Sequence, residues 1–499
     1  MKYKIKNESL FFFSLLFRGY FIFLSFLFIF SIFIRAKYLM NDSPVFELQK
    51  FSYNILIFIF IISFLFFKFF ENFLKEMYYV LLVFKFFIML ISILFQILFI
   101  IFVPLEPFSD MLQCHLGAIE VTKNNLSFLV NSQYFNLNPN NIFFTLLLGL
   151  WYKLINFGFF AGKLLNIFCN ILITVLTYEI FKKFYKKESL LIFALLSFFP
   201  PMILYCNHIY NDVIFTFVTI LAAYLYFNFD KKTNQYFLIG TLLGISHLIR
   251  PVGFLFLIAF IITELLFIRE LKNILFLAIG FILPIILFYF LFFIFTGKNL
   301  LKTGYPIWSY IYIGLNSEKF GFQDGSHSLN RNFNDIIYRI FYENGILETL
   351  KIIFKKIFWM WTEGTYQSER YGFWNLGLIH SSIRNLVKFL SYTLYFSLIL
   401  LSCIHFSYKS FFNRINNLDK SKPILLIYIV ILNFLFLLFY AIWEIKSRYI
   451  YALYPYLIIT SFGGMEFLYF IMREKLSFIK KRSLLNAKSK FLLWRGFLL

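Results

Sequence analysis

The long apolar runs of this sequence limit its possible folds more than any other feature. The run from Val80 to Phe102 contains one charged residue, Lys85, and several other runs are nearly as apolar. About 20 predominantly apolar residues in a helix are enough to cross the hydrocarbon core of a bilayer. Of the 499 residues, 61% are apolar and 14% are charged, whereas soluble domains have about 45–50% and about 25%. We therefore predict an all-α polytopic membrane protein.

The apolar runs predict about twelve transmembrane helices. The runs are Leu10–Ile34, Asn54–Phe67, Val80–Phe102, Leu164–Phe181, Leu190–Ile203, Val213–Phe229, Tyr236–Ile249, Val252–Ile268, Ile274–Thr296, Leu386–Ser407, Ile424–Trp443 and Ile450–Ile471. Several are shorter than about 17 residues, so we expect their ends to extend into the flanking segments. A further run, Asn140–Leu154, can be interpreted as a span or as an interfacial or re-entrant helix.

The basic residues indicate an orientation. A net charge of +22 would suggest a nucleic-acid partner in a soluble protein, but here many basic residues lie in short loops and a tail, as the positive-inside rule describes. We expect no nucleic-acid partner. If Asn140–Leu154 does not span, the basic clusters share one side, at 1–6, 182–187, 230–232, 269–272, 408–422 and 480–490. We predict an integral protein of a bacterial inner membrane, in contact with membrane lipids, with both termini in the cytoplasm.

This topology divides the chain into six parts. They are N-terminal transmembrane helices at 1–103, a first extracytoplasmic loop with juxtamembrane helices at 104–163, a transmembrane core at 164–296, a large extracytoplasmic loop at 297–383, C-terminal transmembrane helices at 384–472 and a basic cytoplasmic tail at 473–499. We expect the catalytic loop to be the first of the two extracytoplasmic ones.

Ionisable residues cluster at the predicted outer face. Such residues at a hydrocarbon edge are costly and suggest a functional site. They occur in "PLEPFSD", in the turns "CNHIYND" and "SHLIRPVG", and in "WEIKSRYIYALYP". The candidate site residues are Glu106, Asp110, Asp212, His247, Arg250, Lys446 and Arg448.

The types of these residues suit the transfer of a sugar from a lipid phosphate. Arginine stays charged and binds phosphate through two N–H donors, so Arg250 and Arg448 are candidates to hold a lipid-phosphate headgroup. A nearby carboxylate can act as general base on an acceptor hydroxyl, which is the role we predict for Asp110. The alternatives are that the arginines only snorkel towards headgroups, that the histidines are satisfied interfacial residues, and that Asp110 only caps a helix.

Several segments resemble one family in their order and spacing. They are "EPFSD", "NLNPNNIFFTLLLGLWYKLINFGFFAGKLLNIFCN", "LLSFFPPMILYCNHIYND", "GTLLGISHLIRPVG" and "EIKSRYIYALYP". Together, from about Pro104 to Tyr454, they resemble the GT-C superfamily, and more narrowly the bacterial family 39 glycosyltransferases related to protein mannosyltransferases and to the aminoarabinose transferase of lipid A. The resemblance implies a polyprenyl-phosphate sugar lipid as donor, inverting transfer at the extracytoplasmic face, and Asp110 as catalytic base. Asp212 matches a second acidic residue of the family.

Two features depart from that family. Three predicted spans precede Asp110 instead of one, and the sequence has no DxD pair. No cofactor is therefore certain; a divalent metal ion stays open, without assigned ligands. The four cysteines show no metal-site spacing and are expected to pack in the interior.

Two other functions stay open. A polysaccharide polymerase or ligase also has about twelve spans and a large outer loop. A flippase for lipid-linked saccharides should carry cations midway along its spans, where only Arg18, Lys68 and Lys85 qualify. For these three cations we expect snorkelling or pairing between helices. The identity of the sugar and of the acceptor does not follow from the sequence.

Overall fold

The fold is built almost entirely from helices. The computed structural model describes residues 7–38, 44–74, 78–229, 233–267, 270–322, 331–373, 378–408 and 422–497. In the N-terminal half the helices are α1 (Asn7–Phe33), α2 (Phe51–Leu74), α3 (Tyr78–Phe102), α4 (Ser109–Thr122), α5 (Ser127–Asn131), α6 (Gln133–Leu137), α7 (Ile142–Leu154), α8 (Gly158–Tyr185), α9 (Leu190–Ser197), α10 (Pro200–Leu204), α11 (Asn211–Asn228) and α12 (Thr233–Ile249). The remaining helices are α13 (Gly253–Phe267), α14 (Leu271–Thr296), α15 (Ile307–Gly314), α16 (Phe333–Tyr338), α17 (Ile346–Thr362), α18 (Ser368–Gly372), α19 (Leu378–Ser407), α20 (Lys422–Ile442) and α21 (Tyr454–Phe497).

Each of the twelve predicted spans coincides with helical structure, which confirms the all-α polytopic class. Within the described part of the chain, nine helices are long and apolar enough to cross a membrane: α1, α2, α3, α8, α11, α14, α19, α20 and α21. The other three predicted spans fall on α9–α10, α12 and α13, which have 17 residues or fewer. The predicted basic tail at 473–499 is helical through Phe497, because α21 continues into it.

The ambiguous run 140–154 forms a short helix. Helix α7 has 13 residues, which at 1.5 Å per residue cannot cross a bilayer. It packs closely against α4. At Gly149 there is no room for a side chain, since an added Cβ atom would lie 2.6 Å from the side chain of Val121 in α4. The length of α7 favours the interfacial interpretation over a further span.

A small sheet joins the first two long helices and was not predicted from the sequence. Strands β1 (Ile34–Tyr38) and β2 (Pro44–Leu48) pair antiparallel, and Lys37 forms an ion pair with Glu47. Strands of five residues next to much longer apolar runs give little periodic signal.

Helices α11, α19 and α20 form the interior of the bundle, whereas α3 and α14 expose most of their apolar side chains. A helix that exposes apolar side chains suits a lipid environment rather than water. At one end of the bundle, four segments meet: the start of α4, the turn before α11, the turn between α12 and α13, and the connection between α20 and α21. These are the segments that carry the predicted site residues.

Candidate active site

Three of the four converging segments, all except the turn between α12 and α13, surround a cavity of about 760 Å³ together with α18, residues 132–141 and residues 305–310. We call it the first cavity. Its charged lining residues are Asp110, Arg370, Glu444, Lys446 and Arg448. Most other lining groups are tyrosines and amides, including Gln113, Gln133, Tyr134, Asn138, Asn140, Asn141, Tyr210, Tyr305, Tyr310, Tyr371 and Tyr449. The structure therefore brings three of the predicted site residues together: Asp110, Lys446 and Arg448.

Asp110 is held at the start of α4. The residue that caps this helix is Phe108, which makes no side-chain capping hydrogen bond. Ser109 then adopts φ +48°, a left-handed conformation that is uncommon for a residue other than glycine and is found more often near functional sites. Asp110 follows in the first turn, where the positive end of the helix dipole favours a carboxylate. Asp110 is thus not the capping residue that the sequence offered as an alternative.

A hydrogen-bonded cluster of tyrosines and one asparagine lines the first cavity beside Asp110. The amide of Asn141 donates to the hydroxyl groups of Tyr134 at 2.7 Å and of Tyr210 at 3.0 Å. Burial, and then the charge of Asp110, raise the pKa of Tyr210 well above its ordinary value. The phenol therefore stays protonated, and its hydroxyl donates back to Oδ1 of Asn141 at 3.2 Å, which fixes the position of this wall of the cavity.

A second cavity of about 330 Å³ adjoins the first. The predicted residue Arg250 lines it together with Pro251, Thr303 and Ile307. Both cavities share eight lining residues: Leu137, Asn140, Tyr210, Tyr305, Tyr310, Glu444, Arg448 and Tyr449. Arg448 therefore lies in the wall between a space that contains Asp110 and a space that contains Arg250.

Asp212 holds the two arginines close together. It is 1% exposed and forms an ion pair with Arg250, while its Oδ2 lies 3.9 Å from a guanidinium nitrogen of Arg448. The ring of Tyr449 lies 4.7 Å from the guanidinium carbon of Arg250 and 5.9 Å from that of Arg448. One buried carboxylate thus orients two cations.

Arg448 has a third neighbour, His208. Its guanidinium nitrogen lies 3.5 Å from Nε2 of the histidine. Burial and the charge of Arg448 hold the pKa of His208 well below its ordinary value. A neutral imidazole can accept a hydrogen bond from the guanidinium group, so the histidine fits beside the cation without repelling it.

Two predicted site residues lie apart from this group. His247 packs against the rings of Phe254 and Phe281, at centroid distances of 6.0 Å and 5.4 Å. Glu106 is exposed, four residues before Asp110. Among the described lining residues of the two cavities, neither His247 nor Glu106 occurs.

The sequence reasoning missed Arg370 and Tyr371, which α18 brings into the first cavity. The Tyr371 ring is stacked on His208 at 4.6 Å, and the guanidinium carbon of Arg448 lies 5.0 Å from its centroid. The signal was the dipeptide "RY" in the predicted outer loop. Its position in the sequence does not indicate that it lies near the other segments of the first cavity, and this proximity becomes visible only in the structure.

The described residues contain no group of three or more His, Cys, Asp or Glu side chains that could hold a metal ion. The four cysteines are buried, as predicted.

The geometry defines a polytopic membrane protein with a charged, tyrosine-rich cavity at one end of its helix bundle. Residues 139–296 match a family model described as dolichyl-phosphate-mannose-protein mannosyltransferase. The match extends from Pro139 to the end of α14 and includes Asp212 and Arg250. This match covers about a third of the chain, and it supports a membrane glycosyltransferase of the GT-C superfamily and protein mannosyltransferase type with a lipid-linked donor, in agreement with the resemblance seen in the sequence. Searches of curated proteins and of solved structures gave no significant match.

Proposed function

We propose that this enzyme transfers a sugar from a polyprenyl-phosphate-linked donor to an acceptor at the extracytoplasmic face of a bacterial inner membrane, with Asp110 as general base. The observation that carries the proposal is the placement of Arg448 in the wall between two cavities, one containing Asp110 and the other containing Arg250. In an inverting transfer from a sugar phosphate to a hydroxyl group, the cation that stabilises the leaving phosphate and the base that activates the hydroxyl lie on opposite sides of the anomeric carbon.

The donor phosphate is assigned to Arg250 and Arg448. Each guanidinium group has five N–H donors, so their contacts with Asp212 and His208 leave donors for phosphate oxygens. The two arginines are 8% and 6% exposed, and a charge-assisted hydrogen bond is stronger in such a partly dry site than in water. The apolar part of the carrier is assigned to the second cavity, whose lining includes Pro251, Val252 and Ile307.

The acceptor is assigned to the first cavity. Its hydroxyl group lies at Asp110, whose carboxylate takes the proton as the oxygen attacks the anomeric carbon. The bond between that carbon and the phosphate oxygen breaks, and its electron pair remains on the carrier phosphate. Arg250 and Arg448 stabilise this added negative charge. Attack from the face opposite the phosphate inverts the configuration of the sugar.

Lys446 and Glu444 complete the polar lining of the first cavity, near Arg448 in the chain. Long polar side chains and tyrosines can bind the hydroxyl groups of an acceptor sugar or the charge of an anionic one. The acceptor class is therefore left to experiment. The predicted orientation supports the extracytoplasmic assignment, because it puts the basic clusters of the sequence on the cytoplasmic side and the segments that form the cavity on the other side.

The direct test incubates the purified enzyme in lipid nanodiscs with a panel of radiolabelled polyprenyl-phosphate sugars and a membrane extract as acceptor. The proposal predicts release of carrier phosphate and transfer of label from at least one donor. Movement of the intact lipid-linked sugar between leaflets, without release of carrier phosphate, would support the flippase alternative instead.

A further inference from the structure

A buried carboxyl group, Glu363, connects two segments of the first cavity that are far apart in sequence. It follows directly after α17 and is 1% exposed. Its Oε2 accepts hydrogen bonds from the hydroxyl of Ser447 at 2.8 Å and from the backbone N–H groups of Gln367 at 3.1 Å and Thr365 at 3.2 Å. Ser447 is the residue before Arg448, and Gln367 precedes α18.

The number of protons in this cluster indicates the ionisation state of Glu363. The hydroxyl of Thr365 contacts Oε1 of Glu363 and also lies 2.8 Å from Oε2 of Glu369. A hydroxyl has one proton, so it can donate to one carboxylate only. In the second contact, the carboxyl group must therefore carry a proton and donate it to the hydroxyl oxygen of Thr365. Lys388 neutralises Glu369 at 2.9 Å, which leaves the proton on Glu363.

The electrostatic surroundings agree with this assignment. Burial, and then the charge of Glu369, raise the pKa of Glu363. Although burial disfavours the ionised form of Glu369, the ammonium group of Lys388 lowers its pKa. Glu363 therefore donates to Thr365, Thr365 donates to Glu369, and Lys388 also donates to Glu369.

The segment held by Glu363 has an unusual backbone. Gly364, Tyr366 and Gln367 have φ values of +71°, +55° and +58°. A left-handed tyrosine and glutamine cost free energy and persist only when their surroundings fix them. The hydroxyl of Tyr205 also contributes, because it donates to the carbonyl of Tyr366 at 2.5 Å. This backbone directs the following helix, α18, so that Arg370 and Tyr371 line the first cavity.

We propose that Glu363 is a positioning residue, which holds Ser447, and with it Arg448, in register with the segment that carries Arg370 and Tyr371. The inference rests on the proposed function, because the groups it positions are the phosphate-binding arginine and its ring neighbour. Glu363 is not among the described residues that line the two cavities. Its effect is to fix the distance between two walls of one cavity.

The test measures binding of polyprenyl phosphate to the intact protein in nanodiscs, alongside the thermal unfolding temperature. Ser447→Ala removes one hydrogen bond to Glu363, and we expect binding about fivefold weaker, the usual effect of one such bond. Glu363→Ala should weaken binding at least as much. The double variant should be no weaker than Glu363→Ala, because both changes remove the same connection.

Conservative variants separate positioning from folding. Glu363→Gln keeps a neutral group of the same length that accepts from Ser447 and donates to Thr365, so binding should stay within about twofold of wild type. Glu363→Asp keeps the acid but is one methylene shorter, and should bind as weakly as Glu363→Ala. A matched control is Ser461→Ala, since this buried serine donates to Ile458 in its own helix.

Two results would overturn the inference. One is wild-type binding by Ser447→Ala and Glu363→Ala; the other is better binding by Glu363→Asp than by Glu363→Gln. A wild-type protein that does not bind polyprenyl phosphate would remove the proposed function, and this inference with it. Intact wild-type binding with unaffected variants removes the inference alone.

Discussion

Two buried charge clusters lie near opposite ends of α8, and only one of them adjoins a large polar cavity. At the end where α8 begins, Asp212 contacts Arg250 and Arg448, and both arginines line open space. At the other end, Lys68 is fully buried between Glu71 at 3.0 Å and Glu466 at 2.9 Å. A helix of 28 residues is about 42 Å long, which is enough to cross the hydrocarbon core of a bilayer.

The second cluster connects helices. Glu71 on α2 accepts a hydrogen bond from the backbone N–H of Leu190 at 2.6 Å, at the start of α9. Glu466 on α21 pairs with Lys68 and with Lys187. The adjoining cavity is about 260 Å³, and its described lining is mainly aromatic and aliphatic. The pairing predicted for cations within spans therefore accounts for Lys68.

The comparison shows that burial of a charge does not by itself indicate a functional site. In the second cluster, two carboxylates (Glu71 and Glu466) pair with two ammonium groups (Lys68 and Lys187), whereas in the ion pairs of the described residues Arg250 and Arg448 share Asp212. A buried cation without a full counter-charge is costly unless a ligand supplies it. This difference in counter-charge supports the proposal that Arg250 and Arg448 bind the donor phosphate.

The comparison first requires that the two clusters face opposite sides of the membrane. Cysteine introduced at Asn131 should react with a membrane-impermeant maleimide in intact cells, and cysteine introduced at Lys183 should not. Both positions are exposed, and the four native cysteines are buried, so background labelling should be low. Labelling of Lys183→Cys in intact cells would reverse the orientation and remove the extracytoplasmic assignment.

Removal of the buried cation should have the largest effect on stability. Lys68→Met leaves the buried Glu71 without its counter-charge and Glu466 with Lys187 alone, and breaking a buried ion pair costs about 3–5 kcal/mol. We expect a matching loss in the free energy of unfolding, measured with denaturant in detergent. Lys187→Met is the control, because Lys187 is 44% exposed and exposed pairs contribute about 0–1 kcal/mol. Equal effects of both variants would contradict the comparison.

Arg448→Lys should reduce donor binding with little effect on stability. A lysine keeps the charge but cannot form the two-pronged contact with phosphate. We expect polyprenyl-phosphate binding to lose about 1.5–3 kcal/mol, measured by titration in nanodiscs. Arg339→Lys is a control, since Arg339 forms an ion pair with Glu343 in the predicted outer loop. Binding that Arg448→Lys leaves unchanged would rule out this role.

The smallest effect is expected at Lys85, whose Nζ lies 2.6 Å from Glu188. Although burial opposes ionisation of Glu188, Lys85 and Tyr178 lower its pKa. A carboxyl whose folded pKa is lower than its unfolded value stabilises the protein above the unfolded pKa, and this contribution is lost as the pH falls through the folded pKa. Lys85→Met should cost about 1 kcal/mol or less at pH 7. Unfolding free energies of the wild type and the variant should converge as the pH falls through the lowered pKa of Glu188; a constant difference would contradict this.

The fold was predictable because each long apolar run indicates one membrane-spanning helix. Every predicted span coincides with a helix, since about 20 apolar residues have few other stable states. The hairpin at Ile34–Leu48 was not predictable, because two strands of five residues give a weak pattern. The sequence does not decide whether α7 is a membrane span or an interfacial helix, because its hydropathy resembles that of a span and only its length distinguishes it.

The candidate site was predictable only in part, and for a different reason. Asp110, Arg250, Lys446 and Arg448 are polar groups beside apolar runs, so the sequence makes them conspicuous. Arg370 and Tyr371 lie within a long segment of polar and aromatic residues and do not adjoin an apolar run, so they were not conspicuous in the sequence. His247 is also a polar group beside an apolar run, as Arg250 is, but it lies in the last turn of α12 and its ring packs against Phe281. The direction of a side chain from a helix end depends on packing that the sequence does not state.

The most direct test of the account is the rate at which Asp110→Asn releases carrier phosphate from a lipid-linked sugar at pH 7. Asparagine has nearly the same shape but cannot accept the proton of the acceptor hydroxyl, and general-base catalysis contributes about 10²–10⁴-fold. We predict a fall of at least about 100-fold, with donor binding and unfolding temperature unchanged. Glu120→Gln, at the other end of α4, should keep full activity. Release at the wild-type rate by Asp110→Asn would show that Asp110 is not the base.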